Sequence, residues 1–181
     1  MSAGLPNIDC LYPLTLFRRR AGVAMPVYEV VDGEQLPEPY HRLLVHTGDM
    51  TSRLEAFHGG EITLKCLHCE HTPGVYRREV ALHVASAGVP VEYGAIEIRL
   101  DAFAGEFRDL IVQARLPLGG LLNRFDISYR SQPLAFIRFG ADPILRAYFA
   151  TPEAVEFYGR CNVLLGDGDV ELARIVEVLR P

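Results

Sequence analysis

Three consecutive segments of the chain alternate apolar and polar side chains and are separated only by short turns. The segments are residues 61–69, 76–84 and 91–100, and the turns are residues 72–74 and 86–90. Alternation with a period of two residues is typical of half-buried strands. Strands joined by such short turns run antiparallel, because a parallel connection needs a dozen or more residues. The sequence therefore predicts a three-stranded antiparallel meander between residues 61 and 100.

The second of these strands carries an arginine on its apolar face. Side chains of one face recur at every second position, so Arg78 shares its face with Tyr76, Val80 and Leu82. A guanidinium keeps its charge at physiological pH, and burying it unpaired costs several kcal/mol. Either Arg78 meets an anion, which is a carboxylate of the protein or a ligand, or it lies at the end of the strand and reaches water or forms an ordinary ion pair.

Cap residues and apolar spacing predict the helices. Asp49 can cap a helix over residues 47–60, in which Met50, Leu54 and Phe57 form the apolar stripe. Further helices are predicted over residues 101–114 and 142–149, and a helical turn over residues 39–45. Further strands are predicted at residues 27–31, 125–130, 134–139, 161–165 and 170–179.

This order of elements predicts the fold class α+β, with a single antiparallel β-sheet and helices packed on it. Strands outnumber helices and follow one another as hairpins, whereas an α/β fold alternates the two. The 181 residues are enough for one domain, 1–181. Five prolines interrupt residues 1–40, which we expect to form an irregular N-terminal extension packed on the core.

Composition argues against several classes of partner. A net charge of −5 gives the molecule no general attraction for nucleic acid or anionic membranes. No apolar run approaches the roughly 18 residues of a membrane-spanning helix. The four cysteines are too few for a disulfide scaffold. We therefore expect a cytoplasmic monomer that contacts neither nucleic acid nor membrane.

Two segments resemble metal sites only in part. Cys66, His68 and Cys69 lie close together, but no second pair of ligands follows at zinc-site spacing. Regular alternation would also place Cys66 and Cys69 on opposite faces of the strand. Residues 166–169 lack the terminal glutamate of a calcium loop, and we interpret them as a hairpin turn. No metal site is predicted.

Two further features admit a structural and a functional interpretation. Residues 116–120, with the sequence Leu-Pro-Leu-Gly-Gly, either form a turn or let the backbone approach a ligand closely. Glu177 shares an apolar strand face with Ala173, Ile175 and Leu179. It is either a solvated edge residue or a carboxylate at a site.

Several short motifs, taken together and in order, resemble the chorismate pyruvate-lyase (4-hydroxybenzoate synthase) family. They are Asp49-Met50-Thr51-Ser52-Arg53-Leu54-Glu55, Tyr76-Arg77-Arg78-Glu79-Val80-Ala81-Leu82, Leu116-Pro117-Leu118-Gly119, Tyr158-Gly159-Arg160 and Ile175-Val176-Glu177-Val178-Leu179-Arg180-Pro181. The similarity extends over residues 40–181. The chain departs from the family at Gly120, where a basic residue is common, and residues 1–40 align with nothing in it.

The resemblance implies a sheet of about six antiparallel strands with helices on one side, and helical flaps over an internal ligand pocket. It implies a lyase that eliminates pyruvate from chorismate to give 4-hydroxybenzoate without a cofactor. Met50, Arg78, Leu118, Gly119 and Glu177 would contact the substrate and the aromatic product. Arg78 would hold a carboxylate, and Glu177, with a pKa raised by burial, would carry the proton.

Two alternatives keep the same fold. One is a paralogue that acts on a related substrate or gives another aromatic acid. The other is a non-catalytic domain that binds a small aromatic acid, because ligand-sensing domains of some bacterial regulators have a similar fold. Those regulators carry a DNA-binding domain upstream, which the proline-rich residues 1–40 do not resemble.

Overall fold

Successive hairpins build one open antiparallel sheet of seven strands in the computed structural model, which describes residues 9–181. The first eight residues of the predicted extension lie outside the described part. The strands are β1 (Tyr28–Val31), β2 (Ile62–Thr72), β3 (Val75–Val84), β4 (Val89–Arg99), β5 (Arg130–Gly140), β6 (Glu156–Leu165) and β7 (Glu171–Leu179). They lie side by side in the order β1-β5-β6-β7-β4-β3-β2, and each neighbouring pair is antiparallel.

Six α-helices pack on this sheet within residues 9–181. They are α1 (Leu14–Arg20), α2 (Tyr40–Leu44), α3 (Met50–His58), α4 (Gly105–Gln113), α5 (Leu118–Arg124) and α6 (Pro143–Phe149). The α+β class and the antiparallel sheet are confirmed, with seven strands where about six were expected. None of the helices in the described residues is long and apolar enough to cross a membrane.

Both faces of the sheet are covered, whereas the resemblance implied helices on one side. On one face, α1 and α6 pack on alternate residues of the central strands, such as Tyr93, Ala95 and Val176. On the other face, α2 and α3 cover one apolar cluster, which includes Leu82. Helices α4 and α5 cover a second cluster, which includes Ile96.

Local chemistry explains where two of the predicted helices begin and end. The Asp49 carboxylate caps α3 by accepting a hydrogen bond from the Ser52 amide at 2.8 Å, and Gly59 ends the helix in the left-handed conformation. Asp142 caps α6 in the same way, with Pro143 in the first turn. Phe57, expected in the core, is 41% exposed.

Residues 114–140 differ from the prediction. Residues 116–120 do not form a simple turn, because Leu118 begins α5. The strand predicted over residues 125–130 is not formed, apart from Arg130, which begins β5. Residues 131–133, predicted as a turn, belong to β5 and pair with β6. A register shift between Pro133 and Ala135 accommodates the proline. Helix α1 was not predicted either, because its seven residues fit between flanking prolines.

Candidate functional site

A cavity lies between the sheet and the N-terminal ends of α3 and α5. It has about 590 Å³ of empty space, part of it open to solvent. Its floor consists of side chains from β3, β4, β6 and β7 that point to the same face of the sheet. Its lining is largely apolar and includes Met50, Leu82, Ile96, Leu118 and Ile175. A mostly apolar cavity with a few polar groups is typical of small-molecule sites.

Arg78 lies on the cavity floor and is almost completely buried, with 1% of its surface exposed. One of its amino groups, Nη2, donates a hydrogen bond to the Leu116 carbonyl oxygen at 3.1 Å. Its Nε and Nη1 atoms are buried and have no hydrogen-bond partner in residues 9–181. Burial lowers the pKa of Arg78, since desolvation disfavours the charged form. No carboxylate of the described chain forms an ion pair with this cation.

A second buried arginine on the same floor, Arg160, has in contrast a carboxylate partner and hydrogen bonds from two of its three nitrogens. Arg160 donates from Nε to the Glu177 carboxylate at 2.5 Å. Its Nη1 donates to the carbonyl oxygens of Leu44 and His46, each at 3.1 Å. Strand pairing places Arg160 directly opposite Glu177. Glu177 therefore reaches the cavity as one half of a buried ion pair.

Glu92 is the second carboxyl group of the cavity and has no cation of its own. It is buried, and its Oε2 atom has no hydrogen-bond partner within the described residues. Its other oxygen, Oε1, lies over Gly94, where an added Cβ would be 3.3 Å away. Burial, together with the nearby Glu177 carboxylate, raises the pKa of Glu92 well above its ordinary value of 4.5.

The segments over the cavity are tied to each other. Asp49, which caps α3, also accepts a hydrogen bond from the Asn123 side chain of α5 at 3.1 Å. An added Cβ at Gly119 would lie 3.0 Å from the Asp49 Cβ. Gly119 therefore allows the ends of α3 and α5 to approach each other, and this contact has a structural explanation that needs no ligand.

All five residues that the sequence analysis selected line this one cavity: Met50, Arg78, Leu118, Gly119 and Glu177. They come from α3, β3, α5 and β7. The five side chains are therefore close together in the folded chain, and their roles remain predictions.

Glu92 and Arg160 were missed as site residues. Glu92 carried the same signal as Arg78, because it alternates onto the apolar face of Gly94 and Ile96 in β4. Arg160 lay within one of the motifs of the resemblance. Its pairing with Glu177, however, depends on the register of β6 and β7.

Cys66 and Cys69 do not lie on opposite faces of β2, so the prediction from regular alternation was wrong. A register shift between Cys66 and His68 inserts one residue into β2, so that Cys66 lies opposite Val80 and Cys69 opposite Arg78. Both cysteines therefore lie on the same face of the sheet. Even so, residues 9–181 contain no cluster of three or more His, Cys, Asp or Glu side chains that could hold a metal ion.

One histidine next to the cavity, His46, has a lowered pKa. His46 accepts a hydrogen bond from Arg160 Nη1 at its Nε2 atom, with 3.3 Å between the nitrogens. Burial, and then the positive charges of Arg160 and Arg53, lowers the pKa of His46 from 6.5 to about 4. The ring is therefore neutral at physiological pH.

Comparison with solved structures relates the fold to bacterial regulators. PhnF from Mycobacterium smegmatis matches with a TM-score of 0.58 and 11% identity, over 92% of this chain and 93% of that one. The effector domain of PhnF matches with a TM-score of 0.57 and 13% identity, over 74% and 88% of the two chains. The ligand-binding domain of a protein from Bordetella bronchiseptica, predicted to be a GntR-family transcriptional regulator, matches with a TM-score of 0.50 and 14% identity, over 65% and 85%.

These similarities show a shared fold. They do not show a shared function, because the sequence identities are too low. The fold is shared with the ligand-binding domain of the Bordetella bronchiseptica protein and with PhnF and its effector domain, and none of the three neighbours is named as a chorismate lyase. No protein-family model matches the chain, and no curated protein matches it.

Proposed function

We propose that this chain is a small-molecule-binding domain and that its cavity takes an organic acid whose carboxylate binds Arg78. The observation that carries the proposal is the buried guanidinium of Arg78, which has two free donor atoms and no carboxylate partner in residues 9–181. A ligand carboxylate would provide the missing negative charge. The apolar walls would enclose the rest of the ligand.

The energetics of Arg78 support a ligand over a purely structural role. Breaking or omitting a buried ion pair leaves a charge that costs several kcal/mol. A ligand that neutralises this charge gains charge-assisted hydrogen bonds. Because the guanidinium is already buried and oriented, little rearrangement is needed on binding. The shared fold with regulator ligand-binding domains agrees with a sensor role.

Isothermal titration calorimetry with 4-hydroxybenzoate, an aromatic monocarboxylate, tests this proposal. We expect the unmodified protein to bind the acid. Arg78→Met, which keeps an unbranched apolar chain but removes the charge, should weaken binding by at least roughly a hundredfold, since hydrogen bonds to charged groups are worth more than neutral ones. Arg99→Gln is the matched control, because Arg99 ends the neighbouring strand β4 and is exposed.

Two results would contradict the proposal. One is equal affinity of Arg78→Met and the unmodified protein for the acid. The other is the absence of any binding of small aromatic carboxylates by a correctly folded protein.

A second candidate function is the elimination of pyruvate from chorismate. It is favoured by the presence in one cavity of all the residues that the resemblance implies, from Met50 to Glu177. In this proposal, Arg78 orients a carboxylate of chorismate, and a carboxyl group of the floor moves the ring proton. Aromatisation provides the driving force, so that positioning and exclusion of water do most of the work.

Incubation of the purified protein with chorismate separates the two candidates. A lyase releases 4-hydroxybenzoate and pyruvate in equal amounts, and Glu177→Gln should lower that rate by roughly 10²-fold or more if Glu177 carries the proton. A binding domain leaves chorismate unchanged at every protein concentration. Chromatography and mass spectrometry of the aromatic product provide the measurement.

A further inference from the structure

The charged groups on the cavity floor are only partly paired. Two arginines and two buried glutamates lie on its floor: Arg78, Arg160, Glu92 and Glu177. Arg160 forms an ion pair with Glu177 and donates hydrogen bonds to backbone carbonyl oxygens. Among residues 9–181, the floor therefore retains one cation without a carboxylate partner, Arg78, and one carboxyl group without an ion pair, Glu92.

The two unpartnered groups lie at different places along the floor. Glu92 pairs in register with Leu82, which is four residues from Arg78 on β3. Its carboxyl group leans over Gly94, however, and Gly94 lies opposite Val80, two residues from Arg78. Two residues of a strand span about 7 Å. The Glu92 carboxyl group is therefore displaced from Arg78 along the strand direction, and a ligand whose carboxylate binds Arg78 would extend along the floor toward Glu92.

The position of Glu92 favours its neutral, protonated form. A second negative charge beside Glu177 would have only Arg160 as a nearby cation, which already pairs with Glu177, and burial and like charges disfavour ionisation. Its raised pKa agrees with this. A protonated carboxyl group can donate a hydrogen bond as well as accept one.

We infer that Glu92 determines the class of ligand that this cavity takes: a monocarboxylic acid with an apolar body and a neutral oxygen, such as a hydroxyl group, at the end away from Arg78. The inference rests on the proposed function, since it assigns the ligand's carboxylate to Arg78. Glu92 hydrogen bonds the neutral oxygen. A second carboxylate at that end would be buried near Glu177 without a free cation, so the cavity discriminates against dicarboxylic acids.

Three acids that differ in one substituent test the inference: benzoate, 4-hydroxybenzoate and terephthalate. By calorimetry, we expect the unmodified protein to bind 4-hydroxybenzoate roughly tenfold more tightly than benzoate, the scale of one hydrogen bond. Terephthalate should bind at least roughly tenfold more weakly than 4-hydroxybenzoate, because its second charge has no partner.

Variants of Glu92 identify the residue responsible. Glu92→Gln remains a neutral donor and acceptor and should keep the preference for 4-hydroxybenzoate over benzoate. Glu92→Leu cannot hydrogen bond and should bind the two acids equally. Glu97→Gln is the matched control, because Glu97 is a buried glutamate of the same strand that pairs with Arg77 and is not among the residues lining the cavity. It should keep the affinities of the unmodified protein.

The outcomes separate this inference from the proposed function. If benzoate binding depends on Arg78 but Glu92→Leu keeps the full preference for the hydroxylated acid, the inference is wrong and the proposed function stands. If terephthalate binds more tightly than 4-hydroxybenzoate, the charge argument is wrong. If none of the three acids binds, both are overturned.

Discussion

The buried charge of Arg78 lowers the stability of the fold, and its nitrogens that lack a partner within residues 9–181 are available to a ligand. Its guanidinium is buried, and one of its three nitrogens has a hydrogen-bond partner in the described chain. Proteins retain such unfavourable groups mainly where function requires them. Removing the charge should therefore separate stability from function.

We predict that Arg78→Met unfolds at a higher denaturant concentration than the unmodified protein in the absence of ligand. Replacing buried charged groups by apolar ones is often neutral or stabilising by about 1–4 kcal/mol, and only one hydrogen bond, to Leu116, is lost. Urea titration at neutral pH without added acid measures the change. A destabilised Arg78→Met would mean that Arg78 has a neutralising partner in the free protein.

Helices α3 and α5 meet over the cavity where Asp49, at the N-terminal end of α3, contacts both ends of the short helix α5. Asp49 hydrogen bonds Asn123 across this contact, and Gly119 lies against the Asp49 side chain. The adjacent Gly120 has open space where a side chain would extend. The two glycines of α5 therefore differ in the space available to a side chain, and they can be compared by the same substitution.

We predict opposite effects of alanine at these two positions. Gly120→Ala should stabilise the protein by about 0.5–1 kcal/mol, because alanine restricts the unfolded chain and favours a helix. Gly119→Ala should gain less or lose stability, since its Cβ pushes against Asp49, and it should weaken ligand binding by moving α5 away from α3. Denaturation and calorimetry on both variants provide the comparison. Identical behaviour of the two variants would exclude the close contact.

The stability of the whole molecule at low pH depends on a histidine in the loop that precedes α3. His46 lies in this loop and contacts Arg160, which crosses the cavity floor to Glu177. Protonation of His46 would place a second cation beside Arg160 and oppose this arrangement. The low pKa of His46 in the folded state therefore makes the free energy of unfolding depend on pH.

We predict that the unmodified protein loses stability relative to His46→Gln as the pH falls from 6.5 to about 4. The pKa in the folded state is lower than that of the unfolded chain, so the unfolded chain binds the proton first, and its population rises across this window. Above pH 6.5 the difference between the two proteins should be constant. Denaturant midpoints measured at intervals of pH give the two curves. Parallel curves between pH 6.5 and 4 would contradict the prediction.

The sequence by itself determined those features that depend on local geometry. Strand alternation was enough to direct Arg78 toward an apolar interior, and the Asp49 cap was enough to begin α3. The hairpin pattern was enough to specify an antiparallel sheet, because a short turn allows no other strand direction.

Only the tertiary structure decided which side chains meet. Glu177 faces Arg160 because β6 and β7 pair in one particular register, and Cys66 joins Cys69 on one face because a single residue bulges from β2. Whether a buried charge is neutralised depends on contacts between residues far apart in the sequence, and periodicity within one segment carries no information about them. The lack of ion-pair partners for Arg78 and Glu92 within the described residues is therefore a property of the packed sheet and not of either strand alone.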